Sequence, residues 1–284
     1  MKRSPLLPAL RSALAAAALC ATAVAAQASV LILGATGQAG GLADVQSKIA
    51  ATGLLAGTVD VFNANTGTPS LALLQNYDAV LVFDDTASKP FANAAALGDV
   101  LADYVDAGGG VVEAGLSHAT AAFKGMQGRF VTSNYDVFNT SNNQNSCGGL
   151  GAVLRPDSPL MRDIADFNGG SSALCYRLTA KAGAEVVASW SNGQALAGYR
   201  MDHHGVVVGL NMFPVSGDAW NGGWNPTTDG ALLMANALAF AAGELPEPDS
   251  LALLGIAALA AGLAARRRTR AAAAATPKAT AILA

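Results

Sequence analysis

The residues best suited to chemistry form a short run after an apolar segment. Gly115-Leu-Ser117-His118-Ala119 is close to the Gly-x-Ser-x-Gly turn that presents a nucleophilic serine, although Ala119 replaces the last glycine. A serine hydroxyl needs a neighbouring base to become nucleophilic, and His203 or His204 could supply it. His118 is a further candidate, beside Ser117 itself. The chemistry that this spacing allows is hydrolysis of an acyl group through Ser117.

Glycines follow the first apolar segment and could approach a phosphate. Gly34-Ala-Thr-Gly37-Gln-Ala-Gly40-Gly41 resembles the turn of dinucleotide-binding reductases, in which the pyrophosphate lies at a helix N-terminus. Asp60 could then bind the ribose. The Tyr-x-x-x-Lys pair of such reductases is missing, because Gly108 stands where the lysine would follow Tyr104. We therefore expect a tight turn between a strand and a helix, and no bound cofactor.

The histidines show no metal-binding spacing. Asp202, His203, His204 and His118 could bind a metal only if the fold gathered them, because no His-Glu-x-x-His pattern is present. Asp202-His203-His204 also suits the tip of a hairpin, where polar residues are common. We expect no metal site.

Two tryptophans stand close together in Trp220-Asn-Gly-Gly-Trp224. They could form an aromatic platform on which sugar rings stack. The alternative, which we favour, is that both pack over the edge of a sheet, because large aromatic side chains are mostly buried.

Cys147 and Cys175 are the two cysteines outside the first 28 residues. If the chain is exported, they enter an oxidising compartment, where a disulfide between them is expected. The bond would close a loop of nearly thirty residues and stabilise the fold by about 3 to 4 kcal/mol. The alternative is a pair of buried free thiols.

The charges are unevenly distributed along the chain. Eight of the 17 basic residues lie in the two terminal segments, and all 20 acidic residues lie between those segments. The central region is therefore strongly acidic, and it would repel the phosphates of a nucleic acid. Nucleic-acid binding is excluded as the main function.

Apolar runs alternate with helical patterns over residues 29–115. We predict strands at 29–34, 58–62, 78–83 and 111–114, and helices at 42–55, 70–75 and 94–107. Strands that alternate with helices favour a parallel sheet between two helical layers. After an irregular loop over 134–151, strands follow at 185–190, 195–201 and 206–213, of which the last two form an antiparallel hairpin around residues 202–205. A last helix covers 229–242.

The N-terminus has the pattern of a secretory signal peptide. Lys2, Arg3 and Arg11 precede an apolar stretch over 13–24, and Ala26-Gln27-Ala28 supplies the small residues required at a cleavage site. We predict that signal peptidase removes residues 1–28, and the alternative is a retained membrane helix. The exported α/β domain then spans residues 29–243.

A three-part pattern closes the chain. Pro246-Glu247-Pro248 precedes an apolar segment, and Arg266, Arg267 and Arg268 follow it. We predict a membrane helix over 250–265 whose arginines stay in the cytoplasm, because basic flanks resist translocation. The order over 244–270 resembles the PEP-CTERM sorting signal of Gram-negative bacteria. The resemblance implies recognition by an exosortase in the inner membrane and an association with exopolysaccharide. Residues 271–284 are predicted to be a disordered tail.

The central region is similar to a second family. Tyr77-Asp-Ala-Val-Leu-Val, the long helix after it, Gly108-Gly-Gly-Val-Val and a late hairpin before a last helix resemble the class I glutamine-amidotransferase-like fold, which includes ThuA-like proteins. The resemblance implies a three-layer, flavodoxin-like mostly parallel sheet. Active amidotransferases carry a cysteine on the turn after the strand that here ends near Ala114, and this sequence has none there.

The sequence as a whole favours an exported envelope or extracellular-matrix protein with a non-catalytic binding domain. It would be anchored in the inner membrane with its domain in the periplasm, and then processed toward the cell surface or the exterior. Two alternatives stay open: a serine hydrolase that uses Ser117 with His203 or His204, and a carbohydrate-binding protein that uses Trp220 and Trp224.

Overall fold

The computed structural model describes residues 28–171 and 174–243. Its strands are β1 (Val30–Ala35), β2 (Val59–Asn63), β3 (Ala79–Asp84), β4 (Gly110–Gly115), β5 (Gln144–Ser146), β6 (Leu150–Val153), β7 (Leu174–Tyr176), β8 (Ala184–Trp190), β9 (Ala195–Arg200) and β10 (Val207–Leu210). The α-helices are α1 (Gly41–Ala51), α2 (Leu71–Leu74), α3 (Ala94–Asp106), α4 (Arg129–Thr132) and α5 (Gly230–Ala241).

Eight strands form one sheet in the order β2-β1-β3-β4-β10-β9-β8-β6. The first five are mutually parallel, and β9, β8 and β6 extend the sheet by antiparallel pairing. The order of the five parallel strands is the flavodoxin-like one. The predicted mostly parallel sheet with a late antiparallel hairpin is therefore confirmed.

Helices cover both faces of the sheet, which makes three layers. Strands β1, β3 and β4 are buried throughout, so their side chains alternate between two separate cores. Ile32, Leu81 and Val112 pack in the core that α1 and α5 cover. Leu31, Val80 and Val111 pack in the core under α2 and α3. Burial on both faces explains why these strands read as continuous apolar runs.

Local signals set the ends of the longest helix. The side chain of Asn93 accepts a hydrogen bond from the Ala96 N–H at 3.0 Å and so caps the start of α3. Gly108 follows the helix with a φ of 96°, a conformation that favours glycine. The chain then turns directly into β4.

The loop between β9 and β10 lies at the amino edge of the sheet, the edge at which the parallel strands begin. Residues 201–206 connect the two strands, and the N–H of Gly205 donates to the Val105 carbonyl at 3.0 Å. Strand β10 then runs parallel to β4, with Val207 opposite Val111. Residues just before β10 therefore lie at the amino edge, near the end of α3.

A segment that we call the cap, residues 135–147 and 174–181, packs on the face of the sheet that α2 and α3 cover, with Phe138 against Gly209, and reaches the opposite, carboxyl edge. Strands β5 and β7 pair antiparallel within it, and the predicted disulfide between Cys147 and Cys175 joins the two parts. The loop predicted over 134–151 thus contains β5 and the beginning of β6. Their pairing depends on partners distant in sequence, which a local pattern does not reveal.

Asn211, directly after β10, attaches the cap to the sheet. Its side chain accepts from the Tyr176 N–H at 2.9 Å and donates to the carbonyls of Tyr176 and Ala195, each at 2.8 Å. Its own carbonyl accepts from the Trp190 indole N–H at 3.0 Å. One buried asparagine therefore connects β7, β8, β9 and β10.

Several predicted segments lie outside the described residues. These are the signal peptide except for Ala28, which is buried, and the sorting signal, the membrane helix over 250–265 and the tail. Within residues 28–171 and 174–243, no helix combines the length and the apolar character needed to cross a membrane.

We expect the disulfide to contribute strongly to stability. Replacing Cys147 and Cys175 together by serine should lower the free energy of unfolding by about 3 kcal/mol, because the unfolded chain regains the freedom of the enclosed loop. Urea unfolding of the parent with and without reductant, beside the double variant, measures this. Equal midpoints for all three samples would contradict the expectation.

Candidate functional site

The carboxyl edge of the sheet is the candidate site. Strands β1, β3, β4 and β10 end there at Ala35, Asp84, Gly115 and Leu210. In open α/β sheets, ligands bind outside the carboxyl ends of the strands, where loops of different strands meet. The turn after β4 also lies at this edge.

Gly115 occupies the sharp turn between β4 and a short 3-10 helix, Leu116–His118. Its φ of 66° and ψ of −138° lie in a region that non-glycine residues rarely adopt. A Cβ atom at this position would collide with the carbonyl oxygen of Asp84. A strained strand-to-helix turn is where a fold of this kind presents a nucleophile. Here that position has neither a side chain nor room for one.

Ser117 lies two residues further on and is completely buried. Its carbonyl accepts from the Met126 N–H at 2.9 Å, and the next carbonyl, of His118, accepts from the Ser141 N–H of the cap at 3.0 Å. No described residue forms a hydrogen bond with the Ser117 hydroxyl. A substrate has no direct path to that hydroxyl while the cap is in place.

His203 and His204 lie at the other edge of the sheet. They precede β10, so the six-residue length of the parallel strand β4, about 20 Å, separates them from Ser117. His203 stacks on Tyr135 with ring centroids 4.4 Å apart, and its Nε2 lies 3.0 Å from the Asn134 carbonyl. The Nδ1 atom of His204 lies 2.9 Å from the Asp106 carbonyl. The structure does not bring Ser117 together with either histidine, so the hydrolase alternative lacks its base.

His118 is instead paired with a buried acid. Its Nδ1 lies 3.5 Å from Oε2 of Glu113, and its Nε2 lies 3.2 Å from the Leu210 carbonyl. A carbonyl oxygen can only accept, so we assign the proton of the neutral ring to Nε2. Burial lowers the pKa of His118 to about 4 and raises the pKa of Glu113 to about 8. Near neutral pH, both side chains are uncharged members of the core.

Two further carboxyls are buried, that of Asp84 at this edge and that of Asp136 within the cap. Burial raises the pKa of Asp84 to about 7, and no described residue forms a hydrogen bond with its Oδ2. Burial, together with Glu113, raises the pKa of Asp136 to about 7, and Lys181 contacts Asp136 at 2.5 Å. No motif in the sequence points to these two residues as members of a site. The sequence signal for buried acids is Glu113, the one charged residue within the apolar strand β4.

A carboxylate also occupies the glycine turn after β1. Oδ1 of Asp85 accepts from the Gly37 N–H at 2.9 Å, and Oδ2 contacts the Thr36 hydroxyl. The backbone donor that would face a phosphate is therefore used by an acidic side chain, which would itself repel a phosphate. The tight turn from β1 into α1 is present as predicted.

The two tryptophans do not share an exposed surface. Trp224 is 1% exposed, its indole N–H donates to the Pro214 carbonyl at 2.8 Å, and its ring packs where Gly230 leaves space. Trp220 is half-buried and meets Phe213 edge-on at 5.8 Å. The two tryptophans therefore do not form an aromatic platform together, because only Trp220 keeps an accessible face.

Two open grooves lie away from the carboxyl edge. One, of about 380 Å³, runs between α1 and α5 beside Lys48, Thr52, Thr228 and Asp229. The other, of about 370 Å³, lies at the amino edge and is lined by residues that include Tyr77, Asp78, Tyr104 and Gly108. Across the part of the chain that the structure describes, no group of histidine, cysteine and acidic residues could hold a metal ion.

The buried Asp84 predicts a pH-dependent stability. Its folded-state pKa is raised above the unfolded value, so stability present below about pH 4 is lost as the pH rises toward 7 and above. In Asp84→Asn the side chain cannot ionise, so the variant does not lose this stability as the pH rises. When the pH rises from 5 to 8, the free energy of unfolding of the variant should therefore increase by about 1 to 3 kcal/mol relative to that of the parent.

Urea unfolding of parent and variant at both pH values measures the gain. Asp157→Asn is the matched control, because Asp157 is exposed. A difference between Asp84→Asn and parent that is the same at both pH values would contradict the prediction.

Comparisons with known proteins agree with the two resemblances seen in the sequence. Residues 244–268 match the family model of the PEP-CTERM protein-sorting motif. No curated protein matches the chain. Among solved structures, a ThuA-like protein from Parabacteroides merdae has a TM-score of 0.51 at 12% identity, covering 76% of this chain and 90% of its own.

Two other structures are less similar. An exo-beta-1,4-mannosidase from an Opitutaceae bacterium has a TM-score of 0.44 at 12% identity, covering 75% of this chain and 36% of that one. A GMP synthase subunit from Thermoplasma acidophilum has a TM-score of 0.47 at 7% identity, covering 76% of this chain and 95% of that one. With TM-scores below 0.5, neither bears on the function of this chain. The chain therefore carries a PEP-CTERM sorting motif behind a domain with the fold of a ThuA-like protein.

Proposed function

We propose that this chain is an exported, exosortase-processed protein whose α/β domain has a structural or binding role rather than a catalytic one. Its place of action would be the cell envelope or the extracellular matrix. The sorting motif over 244–268 supports export and processing. The observation that carries the non-catalytic role is Gly115, at the position where this fold would present a nucleophile.

The surroundings of Gly115 support the same proposal. The Asp84 carbonyl fills the space that a nucleophilic side chain would need, and the Gly115 N–H is already bonded to the Met212 carbonyl at 2.9 Å. At this turn, both the space and the Gly115 N–H are used for packing the domain.

The cap supplies a second argument. Catalytic edges of α/β sheets are open to substrate, whereas here Ser117 and His118 are buried beneath residues of the cap. The cap is fixed by a disulfide and by the hydrogen bonds of Asn211. Binding of a partner would therefore use outer surfaces, such as the groove between α1 and α5, rather than the turn after β4.

The direction in which the domain leads into its sorting signal fits an anchored protein. Helix α5 ends at the amino edge, where Gly110 packs directly against Ala241, and the sorting motif begins at residue 244. An anchor on that side would leave the carboxyl edge directed away from the bilayer.

A serine-directed probe tests the non-catalytic role. A fluorophosphonate should leave the folded protein unlabelled, because Ser117 is buried and lacks a base. Ser117→Ala is the matched variant and should give the same gel signal as the parent. Labelling of the parent that disappears in Ser117→Ala would overturn the proposal and favour the hydrolase.

Mutation of the sorting motif tests the processing. Replacing Pro246, Glu247 and Pro248 by alanine should leave the C-terminal segment attached, so that the chain accumulates unprocessed in the membrane fraction. Mass spectrometry of the C-terminus in membrane and released fractions measures this. Asp249→Ala, immediately beside the tripeptide, is the control and should be processed normally. Equal processing of the triple variant and the parent would contradict the proposal.

A further inference from the structure

Lys181 and Asp136 form an ion pair in unusual surroundings. The Nζ atom of Lys181 lies 2.5 Å from Oδ1 of Asp136, and the two side chains are only 19% and 1% exposed. Val137 and Phe138, which follow Asp136, are fully buried. Lysine–aspartate pairs normally lie at the surface, where water stabilises both charges. This pair lies mostly in the core.

The backbone holds both partners in place. Phe138 pairs antiparallel with Ala180, and the Lys181 N–H donates to the Val137 carbonyl at 3.0 Å. The guanidinium of Arg200 donates to the Asp136 carbonyl at 3.0 Å. The amine and the carboxyl are therefore held in contact from both sides, which is the arrangement that favours reaction between two groups.

A second buried acid lies near the pair. Glu113 interacts electrostatically with both Lys181 and Asp136, and no described residue donates a hydrogen bond to its Oε2. His118, on the other side of Glu113, is neutral. Arg200 is bound to Asp202 through two contacts of 2.7 Å. Two buried acids therefore lie near one amine, and burial raises the pKa of both acids.

From this geometry we propose that Lys181 and Asp136 condense to form an intramolecular amide bond, with Glu113 transferring the proton. The chain would then carry a second covalent cross-link, in addition to its disulfide. The bond would require no enzyme, metal or oxidant, because its three participating side chains are assembled when the domain folds.

The reaction balances as a simple condensation. Within the ion pair, a proton first passes from Nζ of Lys181 to the carboxylate of Asp136. The lone pair of Nζ then attacks Cγ of Asp136, and an Nζ–Cγ bond forms. Glu113 accepts a proton from the nitrogen and returns a proton to the departing hydroxyl, in the manner of a general acid–base. The Cγ–O bond breaks, one water leaves, and an amide remains. Neither partner is oxidised or reduced.

The cross-link would enclose the disulfide. Asp136 and Lys181 are 45 residues apart, and Cys147 and Cys175 both lie between them. Reduction of the disulfide would then leave the two ends of the cap joined. A covalent bond that does not depend on redox conditions suits a protein exposed to changing surroundings outside the cell.

Peptide mass spectrometry of the folded, full-length chain tests the proposal. After reduction and trypsin digestion, we expect one branched species that joins the peptide containing Asp136 to the peptide containing Lys181. Its mass should be lower than the sum of its parts by one water, and cleavage after Lys181 should be lost. Processing at either terminus does not affect these peptides. Recovery of both peptides unlinked from the folded parent would overturn the proposal.

Variants separate the bond from an ordinary ion pair. Lys181→Arg keeps the charge but should abolish the branched peptide, and Glu113→Gln should abolish it while keeping the shape of the side chain. A branched peptide that persists in Glu113→Gln would overturn the role of Glu113. The pair of Lys48 and Asp218 is the internal control, because its carboxylate is 59% exposed, and cleavage after Lys48 should be normal. Circular dichroism of each variant checks that the fold is kept.

Discussion

The hydrogen bonds of Asn211 are the constraint on which the arrangement of this domain depends. Its amide accepts from one strand of the cap and donates to that strand and to β9, so every polar atom of the side chain is used. A buried amide that lost one of these partners would carry the full cost of desolvation. Asn211 therefore fixes Tyr176 of the cap to the carboxyl end of the sheet.

Covering that edge changes the character of the side chains below it. In an open site, acids such as Asp84 and Glu113 would be solvated and charged, and a histidine such as His118 would titrate near neutral pH. In the folded domain, burial raises the pKa of Asp84 to about 7 and of Glu113 to about 8, and lowers the pKa of His118 to about 4. Groups that look catalytic in a sequence thereby become parts of a polar core.

The sequence predicts much of the sheet and little of the site. Runs such as Val30–Ala35 and Ala79–Asp84 are apolar on both faces, so their burial is visible in the residues alone. The short strands of the cap leave no such pattern, because their partners lie tens of residues away. The pairing of Ser117 with His203 failed for a topological reason: residues that precede one parallel strand cannot meet residues that follow its neighbour. The contact between Asp136 and Lys181 likewise has no local signature.

Gly115 has a consequence for how the domain can evolve. A serine or cysteine introduced at this turn by a single codon change would be pressed against the Asp84 carbonyl, in a backbone conformation that such residues rarely adopt. The end of β3 would have to move first, and that strand is buried along its whole length. Placing a nucleophile at this turn therefore requires several coordinated changes in the buried strands around it.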